Sequence, residues 1–545
     1  MSNSTTNIAN FRQVLLWPVQ LITDDKDLGT EEYWEYLKST SVTTAWKEIQ
    51  DEFNSSGKHL SEASYQEFVS FMPFAQRFLY GEGKHSTGYG ESPMHIFSRS
   101  DVAQVRITIQ HNQEPITLQV AHTELYFFFD VDVAILVIEV VGKELELQNA
   151  MEILYRLGRT YPNKWDENGD GDHCAKLVEW LGRDGNLLSF SDYENKKRYL
   201  EFVKEHNVTC VSKHWEYLMQ PLVQNSSNAV GRIRYREIEY QRMPMMSYLA
   251  FDNLQRLSRG DMIRLAIGSS YGDSHTLPYS DKFLANFEQN HCYDRYWDNT
   301  LQNPLHSTRL MCTGQSFTVL GSSKNSFFTN DKTGIKNSFK KQYFLLYLIA
   351  HFQKAALLML SDRLVQAISR LDINNPDSIK TFRLSIRHTT ETFLRFTHRY
   401  WFQSVSDQVV ARDIFTMMHE QLKSNELFEI THRRIMDMAE YLEAEEIRRQ
   451  ADTVVRLTVV TILGLVGTMT SGLLGMNIFN LADATASQKL VYFFAMFIPV
   501  SALTFYTVIK SKRLSLFLDA LSDEKMKPLK KLLMLKNVWT ANLPE

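Results

Sequence analysis

Near its C-terminus the chain has two stretches without a charged side chain, 457–482 and 490–509, separated by only a short loop. As a helix rising about 1.5 Å per residue, the second is about 30 Å long, close to the thickness of a bilayer's hydrocarbon core. Two such segments side by side are expected to cross a membrane as a hairpin, whereas a fully apolar core helix in a soluble protein usually stands alone. Overall composition hides this, because 22% charged residues describe an ordinary soluble protein of several domains. The membrane signal is local.

The two spans differ in kind. The first is rich in small and hydroxyl residues, Thr458, Thr461, Gly464, Gly467, Thr468, Thr470, Ser471 and Gly472, which suit close helix contacts or a polar lumen. The second is bulkier, with Tyr492, Phe493, Phe494, Phe497 and Phe505, and suits lipid. Arg448, Arg449 and Arg456 precede the first span, and Lys510, Lys512 and Arg513 follow the second. The loop 478–489 has one acidic and one basic residue, Asp483 and Lys489. By the positive-inside rule both termini are expected in the cytoplasm. No charged segment followed by an apolar one opens the chain, so residues 1–450 are expected to stay where they are made. Cys174, Cys210, Cys292 and Cys312 have neither disulfide nor ligand spacing, which fits a reducing compartment. A net charge of −4 argues against a nucleic-acid partner.

Residues 1–340 read as a mixed α/β cytoplasmic domain, with a break near 223–231 that would make it two subdomains. Partial alternation over 102–109 and 116–120 predicts half-buried strands, and the β-branched and aromatic runs 125–129 and 133–141 predict central ones. Helices are predicted over 143–157 and 196–218. From 341 to 424 the pattern predicts a helical hairpin, interrupted at Asp372-Ile-Asn-Asn-Pro376-Asp377. From 425 to 479 there is no proline, and no glycine before Gly464, which predicts one long stalk helix continuing into the first span at about 457–479. A short outer loop, 478–489, a second span, 490–509, and a basic cytoplasmic tail, 510–545, complete the chain. A helix of that length needs support from copies of itself or from the neighbouring hairpin.

At the outer end of the first span stands Ser471-Gly-Leu-Leu-Gly475-Met476-Asn477, followed by one last span and then Lys510-Ser-Lys512-Arg513. This arrangement resembles the CorA-type family of divalent-cation transport proteins, over about 340–520 in organisation and about ten residues in strict motif. The resemblance implies a funnel-shaped homopentamer in the bilayer, of the kind found in a bacterial inner membrane, with the first span lining a pore. It implies that Gly475, Met476 and Asn477 form the filter, with Asn477 meeting a magnesium ion through the ion's bound water. It also implies that magnesium is the transported and a regulatory ion, with cobalt, nickel or zinc as alternatives. Because magnesium holds its first water shell tightly, neutral amide oxygens can select it without stripping that shell. The chain departs from the family pattern at Leu474, where a tyrosine is common, and in an outer loop with a single acid.

Below the filter, Val454, Thr458, Thr461, Leu465, Thr468 and Gly472 form one helical stripe, a candidate pore lining of hydroxyl rings with an apolar ring at Leu465. Counting back from Asn477 selects a different face, through Leu474, Thr470, Gly467 and Leu463, so the register is open by a residue or two. The acidic run Glu440, Glu443, Glu445 and Glu446 could gather cations at the inner mouth, where the resemblance singles out Glu440, and the resemblance implies a basic collar at Lys510, Lys512 and Arg513, which are also an ordinary topology anchor. An acidic run of this kind also simply solvates a helix.

Enzymatic signals are absent. Asp166-Glu-Asn168-Gly-Asp170-Gly171 has calcium-loop oxygens, but its twelfth position is Leu177 where a bidentate Glu is needed, so a turn is expected. Gly268-Ser-Ser-Tyr-Gly272 lacks the lysine of a phosphate loop, Asp273-Ser274-His275 cannot converge as a triad, and His291-Cys292-Tyr293 fits core or turn. The function the resemblance implies is divalent-cation transport without bond-making chemistry. The alternatives are a zinc or other transition-metal transporter, or a membrane-tethered sensor or scaffold.

Overall fold

The computed structural model describes residues 6–23, 32–40, 44–49, 62–81, 94–111, 113–239, 241–272, 279–298, 300, 307–372, 375–476 and 485–509. The chain divides into two compact units, Met1–Ala439 and Glu440–Glu545.

The first unit is built on a 14-stranded sheet. Its strands are β1 Asn7–Thr23, β2 Trp46–Glu48, β3 Met94–Arg99, β4 Gln104–Thr108, β5 Ile116–Phe128, β6 Val131–Glu146 and β7 Leu177–Leu181. They continue with β8 Leu187–Phe190, β9 Val223–Gln224, β10 Ile233–Glu237, β11 Met245–Phe251, β12 Cys292–Tyr293, β13 Thr308–Cys312 and β14 Ser316–Ser322. The main path runs β12-β13-β14-β11-β1-β6-β5-β4-β7-β8, and the pairs are antiparallel except β11 with β14 and β9 with β10.

Three long strands organise this sheet. β6 buries every residue from Val131 to Val140, as its β-branched composition predicts for a strand covered on both faces. β1 lies between β6 and two successive partners, β11 along Ile8 to Leu15 and β10 along Val19 to Thr23. Pro18, which has no N–H to give, falls in the gap between those partners, where its missing donor breaks no ladder on that side. β5 joins the two predicted segments 116–120 and 125–129 into one strand, with a register shift between Val120 and His122.

The helical part begins after the last strand. Here α1 is Phe344–Ser369, α2 is Pro376–Arg399, α3 is Val409–Leu422, α4 is Ser424–Gly475 and α5 is Ala486–Ile509. The helical hairpin expected over 341–424 thus contains three helices, α1 to α3. The helix expected over 196–218 is two, Lys196–His206 and Lys213–Met219, because Asn207 turns left-handed at φ 55°.

α1 is the central helix of the first unit, buried along most of its length. It lies against β1 and β6, with Phe352 stacked on Phe128 at 3.9 Å between ring centroids. Lys354 pairs with Glu239 at 2.6 Å, and Arg363 pairs with Asp132 of β6. α2 docks on the turn between β5 and β6, where Asp130 takes both Arg395 and Arg399, and Tyr400 donates its hydroxyl hydrogen to the Phe129 carbonyl at 2.9 Å.

Candidate functional site

The residues expected to face a conduction path lie on α4. It starts directly after Lys423, whose left-handed backbone at φ 53° closes α3. With no breaker before Gly464, its composition changes from charged to apolar within a single helix of 52 residues.

In the second unit, exposure separates the two registers the sequence leaves open. Val454 is 61% and Leu465 54% exposed, and Thr458, Thr461, Thr468 and Gly472 are exposed with them. On the other side, Val466 is 2% and Thr470 0% exposed, with Ile462, Leu473 and Leu474 half-buried. That buried side repeats at steps of four, as one helix face must. The Val454-to-Gly472 stripe is therefore turned away from the packing of its own chain, whereas the register through Thr470 is not.

The stripe's hydroxyls have a common geometry. Thr458 donates to the Val454 carbonyl, Thr461 to Leu457 and Thr468 to Gly464, each at 2.8 Å. Each hydroxyl hydrogen is thus committed to the helix, and the oxygen keeps a lone pair able to accept a hydrogen bond from water. A Cβ added at Gly464, Gly467, Gly472 or Gly475 would meet nothing within 4 Å, so one chain alone gives no reason for these positions to be small.

α5 follows. Thr485 opens it, its N–H donating to Gln488 Oε1 at 3.1 Å, half of a capping box. Phe493 stacks on Phe497, and Pro499 sits inside the helix, where the Val500 carbonyl accepts from Thr504.

Among the described residues two helices are long and apolar enough to cross a membrane, Ile335–Ser369 and Ala486–Thr504. The first is 83% buried in the folded unit around α1, which makes it a core helix, while the second is 0% buried.

Gly475 ends α4, and Met476 follows it at 68% exposure. Asn477 lies outside the described residues, as do Lys510, Lys512 and Arg513. Glu440 is exposed on α4, as are Glu443 and Glu446. Among the described residues no group of three His, Cys, Asp or Glu side chains is arranged to hold a metal ion.

The other motifs resolve as local structure. Asp166 accepts from the N–H groups of Asn168 and Asp170, and Asp170 pairs with Lys176 and His111, so the loop's carboxylates are occupied within a turn. Gly268 caps the helix Arg259–Ile267 at φ 59°, where a Cβ would collide with Arg242. Asp273-Ser274-His275 lies outside the described residues. His291 bonds the Cys312 carbonyl at 2.8 Å, and burial pushes the Cys292 thiol up to about 12, so it is not a thiolate at neutral pH.

The chain matches no family model, no curated protein and no solved structure.

Proposed function

We propose that the protein is a divalent-cation channel or transporter of CorA-like design, carrying hydrated magnesium through an assembly of identical chains, a pentamer by that resemblance. One observation supports this above the others: the described stripe of α4 from Val454 to Gly472 is exposed in the single chain, while another side, from Ile462 to Leu474, is packed. An uncharged face of leucine, valine and threonine, in a unit whose second apolar helix has none of its spanning window buried, needs lipid or further copies to cover it. Around a shared axis, the Thr458, Thr461 and Thr468 oxygens would accept from the waters of an ion that keeps its hydration shell. The Leu465 ring would close the path by dewetting. Asn477 would select at the outer end with Gly475 and Met476 shaping its turn. Glu440 would concentrate cations at the inner mouth, and Lys510, Lys512 and Arg513 would form a collar there.

The test is magnesium uptake into vesicles reconstituted with wild type or Asn477→Ala, with cobalt, nickel and zinc as competitors. Wild type should pass magnesium, and the variant should lose selectivity while assembling normally. Normal selective flux in the variant removes the filter role. A wild type that passes no ion and runs as a monomer or dimer returns the chain to a membrane-tethered scaffold.

A further inference from the structure

We propose that the cleft between α1 and α2 binds a phosphate-bearing small molecule. The C-terminal half of α1 and the N-terminal half of α2 enclose a cavity of about 490 Å³, within the size range of small-molecule sites. It lies wholly in the first unit and does not depend on whether the protein conducts ions.

The lining supplies positive donors. Arg363 gives one guanidinium nitrogen to Asp132 and leaves Nη1 buried without a hydrogen-bond partner. A buried charged donor without an acceptor is costly, so the site is incomplete until one arrives. Arg370, seven positions on and exposed, lines the same cavity and makes no ion pair among the described residues. Two guanidinium groups on one helix face suit a multiply charged oxyanion, which Arg370 can grip with paired N–H groups and Arg363 through Nη1. From α2, His388 and Ser385 also line the cleft. Burial first, and then the neighbouring Arg363 and Arg395, depress the His388 pKa, opposed only in part by Glu391. The imidazole is thus held toward its neutral form, with one N–H to give. Among the described residues Asp377 is the one carboxylate in the lining, and it sits at the first turn of α2 where the helix dipole favours it.

Part of the lining is apolar, with Ala367 between the two arginines on α1 and Phe382 one turn before Ser385 on α2. Ala367 and Phe382 are buried there, at 7% and 4% exposure, and offer a surface for a sugar or base. By contrast, Ser378, Thr381 and Thr389 already donate to the carbonyls of Arg370, Asp377 and Ser385. The donors left over in the lining are therefore Arg363 Nη1, the Arg370 guanidinium, the Asn375 amide nitrogen, the imidazole N–H and the Ser385 hydroxyl, a set that fits a terminal phosphate or diphosphate.

The test is calorimetric titration of the full chain in detergent and metal-free buffer with inorganic phosphate, pyrophosphate, ADP and ATP. Wild type should bind pyrophosphate or ADP saturably. Arg370→Gln and Ser385→Asp should each weaken that binding tenfold or more, with helical content by circular dichroism unchanged. Arg387→Gln, which removes a 78% exposed guanidinium from the same helix outside the cleft, should bind within twofold of wild type. ADP binding more tightly than pyrophosphate assigns the apolar lining to the nucleoside, and equal affinities assign the site to the diphosphate alone; either result supports the site. No saturable binding of any of the four ligands, or equal weakening by Arg370→Gln and Arg387→Gln, overturns it.

Discussion

Asp130 shows how much one residue can fix without being visible in a sequence. Its side chain is 4% exposed, its backbone is left-handed at φ 63°, and it holds Arg395 and Arg399, more than 260 positions away along the chain. No local pattern announces such a partner; only the strands on either side, 125–129 and 133–141, were legible. Asp130→Asn keeps a side chain that tolerates the backbone but removes the charge. Because Arg395 and Arg399 are 57% and 37% exposed and can rehydrate, the loss should be about 1–3 kcal/mol. Asp130→Leu should lose about 1–2 kcal/mol more, from the left-handed backbone. Chemical denaturation of the two variants checks this, and equal stability would remove the backbone argument. Two buried histidines make a second prediction. Burial pushes His214 down to about 3, although Asp192 pulls the other way, and pushes His419 down to about 4. In the unfolded chain both titrate at about 6.5, so below that pH the unfolded state takes up protons that the folded state refuses. Stability is full above about pH 6.5 and falls as pH drops toward 4, by up to about 1.4 kcal/mol per pH unit for each histidine. His419→Gln should flatten the loss between pH 7 and 5, and an unchanged slope would assign that loss to other groups.

Among elements, legibility followed the distance over which a signal acts. β4, β5 and β6 were readable because alternation and β-branched runs are local, and the long helix was readable because nothing in 425–463 breaks it. β1 was not read, since Pro18 argues against a central strand, and only the handover from β11 to β10 makes that proline harmless. α1 reads by composition like a span, and only its packing against β1 and β6 shows it to be a core helix. For the candidate path, the stripe was legible from spacing, but which of two faces was free depended on what the other face packs against. The open space around Gly464 gives a prediction at this scale. Gly464→Leu removes a poor helix former and should favour α4 by about 0.5–1 kcal/mol. If copies meet along that face, the same change should lower the mass of the detergent-solubilised assembly. Light scattering on both forms decides, and an unchanged mass with unchanged helicity would show that Gly464 lies outside any contact between copies.

The whole molecule is two units with opposite relations to solvent. Met1–Ala439 has its own core, running from β1 through the sheet to α1, with Trp46, Trp180 and Trp215 fully buried. Among the described residues of Glu440–Glu545 large apolar side chains face outward, Leu457, Leu465, Leu490, Val491 and Ile498 each more than half exposed. A patch of that kind is not stable against water in a lone soluble chain, so the two units should separate by the solvent they need. Residues 1–439 expressed alone should be soluble without detergent and unfold cooperatively. They should retain the acid sensitivity conferred by His214 and His419, because both histidines are packed within that unit. If assembly depends on the apolar part, the truncated protein should also be monomeric while the full chain in detergent is not. Analytical ultracentrifugation of the two, with an acid titration of the fragment, measures all of this together. A fragment that aggregates or unfolds without the last hundred residues would mean that the sheet domain borrows stability from the apolar helices, and the separation by solvent would fail.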